Sequence, residues 1–147
     1  MPVRKKPPTP ENPKGSIFLL FHQVRQKMDT EQKNLFLKYD ITPRQFIVLQ
    51  TIDFQPGSNQ NEIVNSINID RSTLSKITEK LESKNYISSQ QKEGDKRHKQ
   101  LRITSKGRST LRRLQQGVRD LENIFINKIE LDTKKKFLSS LRSYVTK

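Results

Sequence analysis

The sequence predicts a mainly α protein with a small β wing. Six helices are expected, with a winged helix-turn-helix at the centre and the N- and C-terminal helices forming a dimerisation domain. Three observations predict it. Between Asn59 and Gly107 the pattern runs short helix, turn, longer helix with a basic outer face, then two short strands joined by a charged loop. That is the order of a module that lays one helix in the DNA major groove. On either side lie long stretches with apolar residues at helical spacing. The third observation is charge: 29 Lys+Arg against 15 Asp+Glu, a formal +14 over 147 residues.

The length suits one compact domain with an extension. With 31% hydrophobic residues a lone monomer has a thin core, so association is expected. The charge asks for a polyanionic partner or an anionic surface; a merely basic soluble protein would show the same balance, so the motifs must decide. Without cysteine there is no disulfide, thiolate metal site or thiol switch. No apolar run reaches the ~20 residues that span a bilayer and no signal-type core opens the chain. A cytoplasmic protein without a membrane partner, associated with the nucleoid when DNA-bound, is expected.

Residues 1–15 hold five of the seven prolines together with Arg4, Lys5 and Lys6. Proline denies this segment regular hydrogen bonding, so it is expected as an extended arm, either following DNA or lying in solvent. Residues 16–40 are expected as a dimerisation helix, with Ile17, Leu20, Phe21, Val24, Met28 and Leu35 on one stripe. One shoulder of that helix carries Phe18, His22, Arg25 and Asp29. Phe18, His22 and Arg25 are the candidates for receiving a small anionic or aromatic effector. An Arg25–Asp29 ion pair beside ordinary packing is the other way to read them.

The winged helix-turn-helix is expected over residues 41–104. Thr42-Pro43-Arg44-Gln45 is a helix start, with a threonine cap, proline at the first helical position and glutamine closing a capping box. Phe46, Leu49 and Ile52, with Ile47 and Val48, make the second helix a buried one, and Pro56-Gly57 ends it. Asn59 and Glu62 begin a short third helix whose Ile63, Val64 and Ile67 face the core. Asp70 can accept from the N–H of Ser72 or Thr73 and so open the fourth helix.

That fourth helix separates its faces. Leu74, Ile77 and Leu81 lie on one side; Ser72, Ser75, Lys76, Glu79 and Ser83 lie on the other, with Arg71 and Lys80 at the margins. Small hydroxyls at its start permit close approach to a duplex, and Arg71 and Lys76 have the reach for guanine or phosphate. Tyr86 and Ile87 begin a strand, Glu93-Gly94-Asp95 turns the chain, and Leu101 and Ile103 alternate with polar residues in a second strand. The loop between, DKRHK, concentrates charge at the tip. Arg97 is the natural minor-groove finger, with Lys96, His98 and Lys99 as phosphate contacts. Asp95, which DNA repels, is expected to orient a basic neighbour or cap the turn.

Residues 105–147 are expected as C-terminal dimerisation helices. Thr104 can cap the fifth helix, whose Leu111, Leu114, Val118, Leu121 and Phe125 are spaced 3-4-3-4. Such a seam asks for a partner helix or packs within the monomer. Asp132 can cap the last helix, where Phe137, Leu138, Leu141, Tyr144 and Val145 continue an apolar face.

Chemistry for an enzyme is sparse. The histidines are His22 and His98, and no Gly-rich phosphate loop, cysteine nucleophile or HExxH-type spacing appears. No enzyme activity, catalytic residue, metal or cofactor is expected.

Three runs, ITPRQFIVLQTI, NIDRSTLSKITEKLESKNYI and GDKRHKQLRITSKG, resemble in order and separation the MarR family of bacterial transcriptional regulators. The most telling are Asp95 and Arg97, followed by Leu101, Ile103, Thr104 and Gly107. The resemblance covers about residues 17–147. It implies a triangular homodimer whose first, fifth and sixth helices interlock. Each subunit would then present one winged helix to double-stranded DNA at a pseudo-palindromic operator, usually as a repressor released by a small anionic, often aromatic, effector. Asn85 stands where the family commonly has glycine, and asparagine tolerates the left-handed conformation needed there. On this basis Arg71, Ser72, Thr73, Ser75 and Lys76 are expected in the major groove and Arg97 in the minor groove. A ligand-independent architectural or activating DNA-binding protein is the alternative.

Overall fold

The computed structural model describes residues 16–92 and 95–146, with the side chains of Lys92 and Asp95–His98 outside the description. The arm, 1–15, and the Glu93-Gly94 part of the wing turn also lie outside the described residues. Six helices and two strands follow in the expected order: α1 (Ile17–Lys38), α2 (Pro43–Phe54), α3 (Gln60–Ile67), α4 (Arg71–Ser83), β1 (Ile87–Lys92), β2 (Asp95–Ile103), α5 (Ser105–Ile126) and α6 (Leu131–Val145).

Local chemistry sets most of the helix starts. The Gln45 N–H donates to Thr42 Oγ1 at 3.2 Å and the Thr42 N–H to Gln45 Oε1 at 3.0 Å, the reciprocal box expected of this segment. Asn59 and Glu62 repeat it at α3, with distances of 3.1 and 2.8 Å. Thr104 accepts from the Gly107 N–H at 3.0 Å to start α5. The last helix departs from expectation. Glu130, not Asp132, precedes it and makes no side-chain cap bond; Asp132 sits inside the first turn, where its charge faces the positive end of the helix dipole.

Three helices end on left-handed residues. Asp40 has φ 50° after α1, Asn68 φ 50° after α3 and Asn85 φ 58° after α4, and in each case the next N–H closes back onto the final turn: Ile41 on Phe36 O, Ile69 on Val64 O and Tyr86 on Leu81 O. Asn85 therefore does what its side chain permits.

The core lies where α2, α3, α4, β2 and the first half of α5 meet. Val48, Leu49, Ile52, Ile63, Leu74, Leu81 and Leu114 are fully buried, and the Phe36 ring meets Phe46 edge to face at 5.6 Å. Each such side chain contributes roughly 1.5–3 kcal/mol by leaving water, enough to hold α3 and α4 as one body against α2. Ile47, expected inside, is half-exposed, because on a helix packed along one side the residue between Phe46 and Val48 turns away from the core. Among the described residues two polar side chains are buried instead. Gln45 is held by its box, and the Thr78 hydroxyl donates to Ser75 O at 2.9 Å while accepting from Gln60 Nε2 at 3.3 Å.

The wing also differs in detail. Tyr86 is buried ahead of β1 and is not part of it, and Asp95–Lys99 belong to β2 and not to a loop. Antiparallel pairing runs from Ile87 opposite Ile103 to Gln91 opposite Lys99, then jumps to Lys92 opposite Asp95. Lys96, Arg97 and His98 thus fall in a bulge, which turns a strand end away from regular pairing. On its other edge β2 is extended by a short piece of chain after α2: the Gly57 N–H donates to Leu101 O at 3.1 Å and the Leu101 N–H to Ser58 O at 2.9 Å. Only glycine accommodates that bend easily, with φ 85° at Gly57.

On α5 the heptad seam divides. Leu111 and Leu114 are buried within the monomer, while Val118, Leu121 and Phe125 are only half-buried. Phe18, Leu20 and Phe21 of α1, Ile124 of α5, and Phe137, Tyr144 and Val145 of α6 are exposed, and α6 has no fully buried residue.

Candidate nucleic-acid interface

The N-terminus of α4 is built around one carboxylate. Asp70 Oδ1 accepts from the Thr73 N–H at 2.8 Å and from the Ser72 hydroxyl at 2.7 Å, and Oδ2 accepts from the Thr73 hydroxyl at 2.6 Å. Three donors on one charged group hold its pKa well below the usual carboxylate range, the Thr73 hydroxyl first, then that of Ser72, then the Thr73 N–H. One turn on, the Ser75 hydroxyl donates to Glu79 Oε1 at 3.1 Å.

This arrangement faces outward because Leu74, Ile77 and Leu81 face inward. Arg71, Ser72 and Lys76 are exposed on α4, with Thr73 and Ser75 half-buried beside them. All five of the residues expected on the reading face therefore lie along one turn and a half at the start of the helix. Lys99 is exposed on β2; Lys96, Arg97 and His98 follow the bulge by backbone only, and the side chains of these three and of Asp95 lie outside the described residues.

Behind α4, a set of polar contacts ties the winged module to the flanking helices. Lys84 Nζ lies 2.9 Å from Asp40 Oδ2 and also donates to the Asp40 carbonyl; the Tyr86 hydroxyl donates to Tyr39 O at 3.1 Å. Lys106 Nζ donates to Lys84 O at 2.8 Å and sits 5.0 Å from the Tyr86 ring centroid. The end of α1, the end of α4 and the start of α5 are thereby joined at Tyr86. Arg108 Nε donates to Asp53 Oδ1 at 3.2 Å, joining α5 to α2.

The effector candidates are not gathered into a pocket. Phe18 is 83% exposed, His22 is exposed, and Arg25 Nε lies 3.6 Å from Asp29 Oδ2 on open surface. A narrow cleft of about 180 Å³ does run between α1 and α5, but its apolar walls are Val24, Met28, Ile124 and Phe125, with Lys27 and Lys128 at the rim. A wider basic cleft of about 460 Å³ opens at the start of α5, where Arg108, Arg112 and Arg113 stand beside Ser105 and Ser109. Sequence reasoning passed over that arginine cluster. Its signal was the run from Lys96 to Arg119, which contains no acidic residue.

Among the described residues no group of His, Cys, Asp and Glu has the arrangement to hold a metal, and no helix is long and apolar enough to cross a membrane.

A short capped helix, a turn, a second helix with a basic outward face and an antiparallel wing define a winged helix-turn-helix DNA-binding protein. Comparison with known proteins finds the same arrangement. The MarR family profile matches residues 41–99. The HTH-type transcriptional regulator SarZ of Staphylococcus epidermidis is 24% identical over 133 residues, covering 89% of this chain and 87% of SarZ. Among solved structures, a MarR mutant from E. coli with operator DNA is 26% identical, with a TM-score of 0.75 over 87% of this chain and 91% of its own. The transcriptional repressor CouR, bound to a 23-mer DNA duplex, is 25% identical, with a TM-score of 0.82 over 90% and 94%. Over its winged module the chain is thus similar to the MarR family, and over most of its length to regulators of that kind.

Proposed function

We propose that this protein is a homodimeric, sequence-specific DNA-binding repressor, released from a pseudo-palindromic operator by a small anionic or aromatic ligand. The observation that carries DNA binding is the outward face of α4, where Arg71, Ser72 and Lys76 are exposed next to a wing whose bulge holds Lys96, Arg97 and His98. In this proposal Arg71, Ser72, Thr73, Ser75 and Lys76 enter the major groove, Arg97 probes the minor groove, and Lys96, His98 and Lys99 hold phosphates, with Asp95 orienting the wing.

Dimerisation is supported by the apolar surface that α1, α5 and α6 leave uncovered, Leu20, Phe21, Ile124 and Phe137 among it. A second copy laid on those helices buries it and places two α4 helices about one helical turn of DNA, roughly 10 bp, or a multiple of it, apart. Residues 16–40 and 105–147 then serve the dimer and 41–104 the DNA, with 1–15 as a basic arm. Phe18, His22 and Arg25 are assigned to the effector in the dimer, where a partner's helices lie over α1. Ligand acts by favouring one spacing of the two readers over the other, and its differential affinity for the two is the whole of its effect. The protein acts in the cytoplasm and carries no catalytic role.

The test is selection of binding sites from random duplexes by the full chain, followed by competition. A specific repressor keeps a preference of about 10³-fold or more for the selected site over random DNA. A preference close to unity would support the architectural reading instead.

A further inference from the structure

The hydroxyls of α4 have a property that bears on which bases they accept. Ser72, Thr73 and Ser75 are the hydroxyl residues on the first turn and a half of the reading face, and each donates its proton to a carboxylate on or capping the same helix, Asp70 at its start or Glu79 one turn beyond Ser75. Ser72 and Thr73 donate to Asp70 at 2.7 and 2.6 Å, and Ser75 donates to Glu79 at 3.1 Å. A hydroxyl has one proton and two lone pairs. Once the proton is directed to a carboxylate, only lone pairs are left to face a partner. Asp70 and Glu79 add oxygens of the same kind, since an ionised carboxylate accepts and does not donate.

We propose that the start of α4 is an acceptor surface that selects the amino groups of adenine N6 and cytosine N4 opposite Ser72, Thr73 and Ser75, with Asp70 and Glu79 as the residues that set this preference. The proposal rests on the DNA-binding function above and specifies its chemistry. In the major groove, adenine N6 and cytosine N4 are the donors; guanine O6 and N7, adenine N7 and thymine O4 are acceptors. A phosphate oxygen is an acceptor too. For Ser72 to hold a phosphate or a guanine its proton must leave Asp70, and the freed carboxylate oxygen would then face the incoming negative charge. The same hydroxyl facing an amino group keeps its bond to Asp70 and gains a second. Donors for guanine and phosphate come instead from Arg71 and Lys76, which are exposed on either side of these hydroxyls. Asp70 is thus a positioning residue for recognition as well as a helix cap.

The test uses duplexes selected from a random pool by the full-length protein. Each adenine in a half-site is replaced in turn by deoxynebularine, which lacks the N6 amino group, and each cytosine by the 2-pyrimidinone nucleoside, which lacks the N4 amino group. Affinity is then read by fluorescence anisotropy. At one or more positions in each half-site the wild-type protein is expected to lose affinity on the order of tenfold, as for loss of a good base contact. In Asp70→Asn, which keeps a capping side chain and so keeps α4, the same replacement is expected to cost less than about threefold, because an amide no longer compels the hydroxyls to donate. Glu79→Gln, a change on exposed surface, gives the same reading for the Ser75 position if Asp70→Asn does not fold. Sequence selection without a position sensitive to amino deletion, or equal sensitivity in wild type and both variants, overturns this proposal alone. Failure of the pool to enrich any sequence overturns the sequence-specific function with it.

Discussion

A Cβ atom added to Gly107 would lie 2.0 Å from the carbonyl oxygen of Tyr86. That carbonyl already accepts from the Thr104 N–H at 3.0 Å and lies 3.2 Å from the Thr104 hydroxyl, so it cannot swing aside without opening the start of α5. The first turn of α5 is pressed against the backbone at the exit of α4, and the glycine at the end of the Leu-x-Ile-Thr-x-x-Gly run is the residue that allows it. Gly107→Ala is expected to destabilise the protein by about 3 kcal/mol or more, at the upper end of what overpacking costs, because the obstacle is backbone and not a side chain. Gly117→Ala is the control. There the atom 2.5 Å away is Leu35 Cδ1, the end of a side chain that can change rotamer, so a loss of about 1 kcal/mol is expected. Thermal melts of the two variants side by side check the order, and equal losses would sink the explanation.

Arg97→Ala is expected to lower affinity for a selected operator by on the order of tenfold or more while leaving the dimer intact, the effect of losing one groove contact. A gel shift paired with light scattering reads both quantities. Unchanged affinity would remove Arg97 from the interface.

Salt dependence measures the phosphate contacts without knowing their identity. Log affinity should fall by about 0.9 per log unit of salt for each phosphate neutralised. Lys99→Ala should flatten that slope by about one such contact, and a slope unaltered in this variant would leave Lys99 without a phosphate.

The uncovered helical face makes a prediction about assembly. Phe21, half-exposed on α1, is expected to be buried between subunits. Phe21→Asp places a charge there and should shift the chain to monomer in sedimentation at micromolar concentration, with its helical circular dichroism spectrum largely kept. A dimer of unchanged affinity would place the interface elsewhere.

The Asp70 cap implies a pH dependence. Its folded-state pKa is depressed, so the ionised cap stabilises the fold fully above the unfolded carboxylate value, near ~3.9. The contribution shrinks as pH falls below that value and is lost as pH passes through the folded pKa. Asp70→Asn has nothing to titrate at this position. The stability difference between wild type and Asp70→Asn should therefore stay level from neutral pH down to ~5 and narrow below ~4, which urea melts at several pH values can follow.

By itself the sequence determined most of what depends on a few neighbouring residues. The boxes at Thr42–Gln45 and Asn59–Glu62 and the cap at Thr104 are closed by bonds between residues three apart, so spacing alone predicts them, while the left-handed turn at Asn85 was implied by the family resemblance. The faces of α4 were legible for the same reason: a helix repeats every 3.6 residues, and Leu74, Ile77 and Leu81 keep that period. Local spacing misled at Asp132, where two candidate starts lie two residues apart, and at the wing, where charge suggested a loop but pairing carries β2 back to Asp95. Tertiary structure alone decided what distant segments do to one another. It set Tyr86 against Tyr39 and Gly107, put Gly57 on the edge of β2, and left Phe18, His22 and Arg25 exposed on α1. Those contacts join residues far apart in the chain, and no periodicity encodes which remote atom will stand opposite. The same holds for the hydroxyls of α4. Their position came from sequence, but the direction of their protons followed only once Asp70 and Glu79 were seen to take them.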